Sequence, residues 1–361
     1  MALGDYVKNT YINNSAPGIS AARLNNNENK TDELDIASTA QAAAIAVVNN
    51  IVSTKKRTAR FTIGTSTSGW TASDCDYLCD GTADQVEINA AITALPAAGG
   101  EIVILDGTYN ITAKISVTKS NVTLSGNGNA TVLKRMYDST SIEGIINVES
   151  SKNYCKIKDF YIDGNKVTYT STNNAGIYLF TSNNNIVTGN TCNNNKYGMY
   201  LKSISNNIIT GNNCNDNNAN GIYLITSSNN NTVTNNNCTN NDSGIYVYGS
   251  SNNIITGNNC NDNNANGIYI NSSSNNNAVT GNTCNNNTCG VRVDWSNNNT
   301  ITGNSCMRGT GTTGDYTASQ FTIYLTGTYS NYTLISSNQC MGKAVVIGGG
   351  TSNTSVNNKF A

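Results

Sequence analysis

The sequence predicts an all-β chain: a single-stranded, right-handed parallel β-helix (solenoid) with an N-terminal capping helix and an N-terminal helical neck. Three observations predict it. Cysteines recur in one frame at Cys192, Cys214, Cys238, Cys260, Cys284 and Cys306, in steps of 22, 24, 22, 24 and 22 residues, and the frame returns after an insertion at Cys340. Between them a second segment, Gly-Ile-Tyr or a close variant, recurs from Gly176 through Gly198, Gly221, Gly244 and Gly267 to Gly290 in steps of 22 or 23. The apolar positions of both segments alternate with period two and are separated by runs of Asn, a poor helix former, which excludes helical solenoids. A unit this small cannot bury its apolar face alone, so each unit is one rung stacked on the next.

Composition agrees with a repeat and bounds the function. Charged residues make up 12% of 361 residues, net charge is -1, and there are 32 Gly but 2 Pro. Without periodic apolar positions such a chain would read as disordered. A net charge near zero argues against nucleic acid as a partner, since phosphate binding needs a basic surface. No run approaches the roughly 18 apolar residues of a membrane span, and Met1 opens onto polar sequence, so a soluble chain without an N-terminal export signal is expected. Histidine is absent. Catalysis would have to rest on carboxylates, Lys, Arg or Tyr, and no cofactor or metal is expected.

In the rungs, Ile186-Val187-Thr188-Gly189-Asn190-Thr191-Cys192 is repeated as Ile208-Ile209-Thr210-Gly211-Asn212-Asn213-Cys214 and again to Cys260. Asn and Gly suit the corners because they tolerate left-handed backbone and bond locally to the main chain. About ten rungs at roughly 4.8 Å each would extend on the order of 50 Å. Upstream, residues 100–109 and 121–126 read as strands of less regular first rungs. Thr82-Ala83-Asp84-Gln85 has the spacing of a capping box, and Ile88, Ala91, Ile92 and Leu95 follow on one helical face until Pro96. This helix would plug the open end of the solenoid. Further upstream, Leu34, Ala37, Gln41, Ala44, Val48 and Ile51 fall at alternating steps of three and four, the seam of a helical bundle or one face of a single amphipathic helix. The expected division is residues 1–31 for attachment, 32–60 for the neck, 61–100 for the cap and 101–361 for the β-helix.

The run from Cys79-Asp80-Gly81-Thr82-Ala83-Asp84-Gln85 to Ile92, followed by Gly99-Gly100 and Asp106-Gly107-Thr108-Tyr109, resembles the opening of pectate-lyase-like β-helix proteins, among them many phage tail spikes. Residues 4–30, with Gly4-Asp5-Tyr6-Val7-Lys8-Asn9 and Ala16-Pro17-Gly18-Ile19-Ser20, resemble the N-terminal attachment segment of phage tail and baseplate appendages. The resemblance implies a homotrimeric tail spike or tail fibre. Its N-terminus would dock on a baseplate or tail protein, and its β-helix would point toward a host-surface polysaccharide. It implies a location on the virion or a phage-like particle, acting outside the host cell.

Among residues that could carry chemistry, the column from Cys192 to Cys340 reads as a reduced, inward-facing structural ladder, because no Cys-x-x-Cys cluster accompanies it. Cys75 and Cys79 form a separate pair for which a disulfide is possible but not indicated. The Asn two residues before each column cysteine (Asn190, Asn212, Asn236, Asn258, Asn282, Asn304 and Asn338) are expected to bond from rung to rung. In the Gly-Ile-Tyr strands, Tyr178, Tyr200, Tyr223, Tyr246, Tyr269, Arg292 and Tyr324 should point outward, beside Phe180, Lys202, Ile225, Tyr248, Asn271 and Asp294. Such a strip marks a subunit interface, a platform on which sugar rings stack, or simple cross-rung stacking. Arg292, Asp294 and Trp295 break the repeat together. A glycan-cleaving enzyme on this scaffold would need paired carboxylates, or an Arg or Lys base with an acidic metal site. Asp294 and Asp315 are the candidates, and none of the acidic positions reproduces the series of the polygalacturonase family. Asp216 and Asp262 stand at equivalent corners, where solvated turns are a plainer account than calcium. The insertion from Met307 to Phe321 lengthens one rung at a place where solenoids often carry specificity.

Overall fold

The computed structural model describes residues 59–360. The attachment segment and the neck with Leu34, Ala37, Gln41, Ala44, Val48 and Ile51 lie outside the described residues. From Arg60 onward the chain coils into a right-handed parallel β-helix. One sheet holds 15 strands, from Tyr77–Cys79 and Arg60–Thr65 at one end to Thr354–Val356 at the other. A second holds 10, from Ile115–Val117 to Val346–Ile347. A third, thinner face is a line of single parallel bridges, Thr191 to Asn213 to Asn237 to Asn259 and on to Lys359. Among the described residues no helix is long and apolar enough to cross a membrane.

Register follows the repeat residue by residue. Val187 pairs with Ile209, Ile209 with Val233, and Val233 with Ile255. On the second sheet Met199 pairs with Ile222 and Leu201 with Leu224. These positions are fully buried, as are Cys192, Cys214, Cys238, Cys260, Cys306 and Cys340. The core is therefore a bundle of like-on-like columns. Burial of each such side chain contributes about 1.5–3 kcal/mol, and a parallel sheet with short strands depends on that burial.

Four left-handed corners turn each regular rung, and three of them use the same device. A residue in the left-handed region is followed by a buried Asn: Asn184 (φ 58°) before Asn185, Gly189 (φ 68°) before Asn190, and Asn194 (φ 58°) before Asn195. Asn236 shows why the buried residue is Asn. Its amide nitrogen donates to the Ile209 carbonyl at 2.9 Å and to Asn258 Oδ1 at 3.0 Å, while its own Oδ1 accepts from the main chain and side chain of Asn212 at 2.9 and 3.0 Å. Only a side chain that donates and accepts at once can repeat this without an unpaired group. The expected ladder from Asn190 to Asn338 is present, and two others, from Asn185 to Asn277 and from Asn195 to Asn287, run beside it.

The capping helix spans Gln85–Ala94 and buries Ile88, Ala91 and Ile92 against the first rungs. The expected capping box does not form. Asp84 makes no side-chain cap bond to the helix; its carboxylate accepts instead from Gly81 N at 2.8 Å and Asn110 N at 2.7 Å. Gln85 Oε1 accepts from Thr112 N, and Asn89 Oδ1 from Ser116 N. These three polar side chains act as a substitute strand, taking up amide groups along the open edge that would otherwise invite pairing. Lys119 reaches back to the carbonyls of Thr93 and Leu95 and closes the helix C-terminus.

One buried cation has no counterpart in the repeat. Arg135 is fully buried, and its guanidinium donates to Ser139 Oγ, Asn174 Oδ1 and the Ala175 carbonyl while lying 4.6 Å from the Tyr137 ring centre. Burial depresses its pKa.

Asn236→Ala should destabilise the protein by about 2–4 kcal/mol, because it strands the main-chain N–H of Asn212 and takes a donor from the Ile209 carbonyl inside the wall. Asn252→Gly, at an exposed corner with φ 60°, should change stability by less than about 0.5 kcal/mol. Denaturant titration of the two variants distinguishes ladder from corner; equal effects would contradict the ladder.

Candidate functional site

The outward face of the second sheet carries the aromatic strip, in register through every rung. Tyr178, Tyr200, Tyr223, Tyr246 and Tyr269 pair in sequence, then Arg292 and Tyr324. The rings do not stand free. Tyr223, Tyr246 and Tyr269 are stacked in parallel at 4.9 and 4.7 Å between centres, and Tyr178, Tyr200 and Tyr223 meet edge to face at 5.7 and 5.2 Å. Tyr200 is buried and the others are half-buried. The strip was expected as an exposed row; much of its ring area is covered by neighbouring rings, which supplies cross-rung stabilisation without a partner. Burial raises the phenol pKa of Tyr178, Tyr200, Tyr223, Tyr246 and Tyr269, that of Tyr178 up to about 12.

The strip ends in a different structure. Arg292 takes the place of the next tyrosine, with its guanidinium 5.1 Å from the ring centre of Tyr269. Asp294 stands where the preceding rung has Asn271, and although its position was expected to face outward it is only 4% exposed. Its Oδ2 accepts three donors, Tyr269 OH at 2.7 Å, Arg292 Nε at 2.9 Å and Arg292 Nη2 at 2.8 Å, while Oδ1 is buried without a partner. Burial and the Asp294 carboxylate together raise the Tyr269 pKa, so the phenol keeps its proton and donates. For Arg292, burial opposes the charge and Asp294 more than offsets it.

Trp295 follows directly. It occupies the left-handed corner (φ 50°) that other rungs fill with Thr181, Ser203, Ser227, Gly249 and Ser273. A bulky residue pays about 1–2 kcal/mol for that conformation. The indole is 50% exposed and leans on Tyr329, itself 61% exposed, at 5.4 Å and 36°. A Cβ on Gly327 would stand 3.3 Å from the indole, so glycine permits this approach.

The remaining candidates are engaged elsewhere. Asp315 closes its own loop, accepting from Thr310 Oγ1, Thr312 N and Thr312 Oγ1 at 3.0, 3.0 and 3.2 Å, and these bonds lower its pKa. The insertion containing it borders a cleft of about 440 Å³ with Tyr316, Lys343 and Phe360. Lys343 pins this loop by donating to the carbonyls of Thr317, Ala318 and Gln320. Asp216 and Asp262 occupy exposed left-handed corners. All eleven cysteines are unpaired, and only Cys75 is not buried. Burial pushes the thiols of Cys238, Cys260 and Cys284 well above their ordinary range.

With this geometry in place the kinship of the chain can be stated. Residues 127–335, more than half of the chain, match the family described as periplasmic copper-binding protein (NosD), and the chain belongs to that family. Among solved structures it is similar to ORF18 of Geobacillus virus E2 (TM-score 0.64, 21% identity, 88% of this chain and 64% of that one). It is also similar to the A-module of mannuronan C-5 epimerase AlgE4 from Azotobacter vinelandii (TM-score 0.56, 15% identity, 82% and 97%). A third is the enzymatically active domain of tailspike protein 2 from bacteriophage CBA120 (TM-score 0.55, 13% identity, 79% and 45%). These likenesses establish the right-handed parallel β-helix, a fold shared with phage tailspikes and polysaccharide-processing proteins. The chain spans under two thirds of the length of the Geobacillus virus protein. No curated protein sequence matches it.

The donors present do not fit a copper centre. The matched span holds no histidine, and its cysteines are buried in the wall, where desolvation raises the thiols of Cys238, Cys260 and Cys284. Among the described residues the one cluster of three potential ligands, Cys79, Asp84 and Glu87, lies outside that span.

Two outcomes follow from the burial pattern. A maleimide should label no more than one thiol per native chain, Cys75, and all eleven after denaturation; labelling of the column in the folded protein would contradict its inward orientation. Tyr178, Tyr200, Tyr223, Tyr246 and Tyr269 have folded pKa values above the unfolded value of 10.0, so their contribution to stability is complete below pH 10 and is lost as pH rises through the folded values, about 12 for Tyr178. Phenolate absorbance and circular dichroism recorded together should therefore change as one alkaline transition.

Proposed function

We propose that this chain is a tail appendage of a virus or phage-like particle, a tail spike or tail fibre that recognises glycan on the host cell surface. Residues 1–31 attach it to a baseplate or tail protein, residues 32–60 bring three copies together, and the β-helix carries the recognition surface outside the host. The fold it shares with a phage tailspike and a mannuronan epimerase supports this reading. The observation that carries it is the break at Arg292, Asp294 and Trp295. An otherwise uniform column acquires, in one rung, an exposed indole held in a strained corner and a guanidinium fixed by two bonds. Strain retained at one rung of a strict repeat points to selection for a surface rather than for the wall, and exposed aromatic rings are the platform that sugar rings require.

Binding is favoured over cleavage because both candidate acids are occupied. Asp294 is neutralised by Arg292 and Asp315 is bound within its loop, so neither stands ready beside a second carboxylate. Polysaccharide depolymerase activity on the same β-helix is the alternative, and a passive spike the third.

Purified host-envelope polysaccharide should be retained by the immobilised protein without new reducing ends or unsaturated uronate products. Cleavage products would establish the depolymerase, and neither retention nor cleavage would leave the passive spike. Light scattering should give a trimer for the full chain and a smaller species once residues 1–60 are removed; a monomer in both cases removes the trimer.

A further inference from the structure

We infer that the glycan recognised is acidic, and that one anionic sugar unit is taken at a subsite formed by Arg292, Trp295 and Tyr329; this rests on the glycan reading above and specifies its ligand. Arg292 and Asp294 form an ion pair, but its two halves are not equally accessible. The Asp294 side chain is 6% exposed and the Arg292 side chain 38%. A ligand approaching the sheet meets the cation, while the anion lies behind it.

The cation is also pre-organised. Two of its donors are fixed on Asp294 Oδ2, its plane lies over Tyr269, and Tyr269 is held by its own bond to the same oxygen and by stacking on Tyr246. A guanidinium has five N–H groups, and those not committed to Asp294 remain for a ligand without further ordering of the side chain. Planar, forked donors match a carboxylate, phosphate or sulfate better than a lone hydroxyl. Close by in sequence, Trp295 and Tyr329 present exposed ring surface against which the apolar face of a pyranose can lie. A ring platform in the same rung as a fixed, outward cation, three residues along the chain from it, describes an acidic sugar unit.

A second cation lies on this face, and the carboxylate of Glu149, level with Phe180 in the adjoining rung, is paired with Lys114 at 2.9 Å. Lys202 lies 5.8 Å from the ring centre of Phe180, on a strand paired with that of Tyr178, so a second aromatic ring is accompanied by a cation. Negative charge on the strip itself is confined to the buried Asp294.

The test restores the repeat. Arg292→Tyr, Asp294→Asn and Trp295→Ser together return the rung to the residues of its neighbour, Tyr269, Asn271 and Ser273, and should leave the fold intact, as checked by circular dichroism and melting. Affinity electrophoresis of the full chain is run in gels containing polygalacturonate, alginate, carboxyl-reduced polygalacturonate or dextran. The expected result is retardation by one or both acidic polymers, weaker in high salt, and absent with the reduced polymer and dextran. In the restored triple variant, affinity for the acidic polymer should fall about 10- to 100-fold, whereas Trp295→Ser alone should weaken binding but leave its salt dependence. Equal retardation by dextran and the carboxyl-reduced polymer would overturn the acidic subsite and leave glycan recognition standing. Unchanged retardation of the triple variant would overturn the subsite as well, and no retardation by any of the four would overturn both.

Discussion

Everything in this molecule depends on stacking like on like at the spacing of a parallel sheet. Neighbouring rungs lie roughly 4.8 Å apart, so whatever one rung places at a position must tolerate a copy of itself directly above and below. Aliphatic side chains meet that condition inside and tyrosine rings meet it outside. For a polar group in the wall the condition is stricter: a residue that only accepts, such as Asp, would face another acceptor, and one that only donates, such as Lys, another donor. Asn satisfies both neighbours, and three columns of it hold three corners of every regular rung, with a serine column at the fourth. The Asn-rich composition, which on its own suggests disorder, is the direct consequence.

Much of this was legible in the sequence because a repeat prints its geometry as a period. The inward columns from Val187 and Cys192, the Asn ladder through Asn236 and the outward tyrosines all follow from alternation inside a frame of 22 to 24 residues. The second and third Asn ladders escaped notice because Asn185 and Asn195 stand inside runs of Asn, where sequence alone does not say which member turns inward. Arg135 gave no signal at all, since nothing in a sequence distinguishes a buried arginine from a solvated one. Thr82 and Gln85 did give a signal, the spacing of a capping box, but the edge of the first rung supplied a stronger demand for acceptors than the helix did, and Gln85 Oε1 accepts from Thr112 N.

The candidate site was half visible. Arg292, Asp294 and Trp295 stood out as departures from the column, yet whether they were drift or device depended on contacts between rungs. The bond from Tyr269 to Asp294, and the contact of Trp295 with Tyr329, join residues 25 and 34 positions apart. The first is one rung plus two residues, which a search for equivalent positions passes over, and the second has no periodic trace because the insertion from Met307 to Phe321 displaces the frame between Trp295 and Tyr329. The burial of Asp294 was likewise unreadable: strand alternation assigns it to the outer face, and only the guanidinium and phenol over it remove it from water.

A solenoid wall offers little of the concavity that usually makes a binding site, since each face repeats a flat or gently curved surface. Selectivity on such a surface must come from breaking the repeat without breaking the stack, and the rung at 289–295 shows how narrowly that is possible. Val291 and Val293 keep their places in the core columns, and Ser296 keeps its place in the wall beneath, accepting from the backbone of Ser274. The substitutions are confined to the two outward positions, 292 and 294, and the corner that follows them at 295. Asp294 would be an intolerable buried anion in any other rung, and it is admitted here because Arg292 is admitted with it. The ion pair is therefore as much a condition of the fold as a feature of the surface, and the charge left facing outward is the guanidinium's.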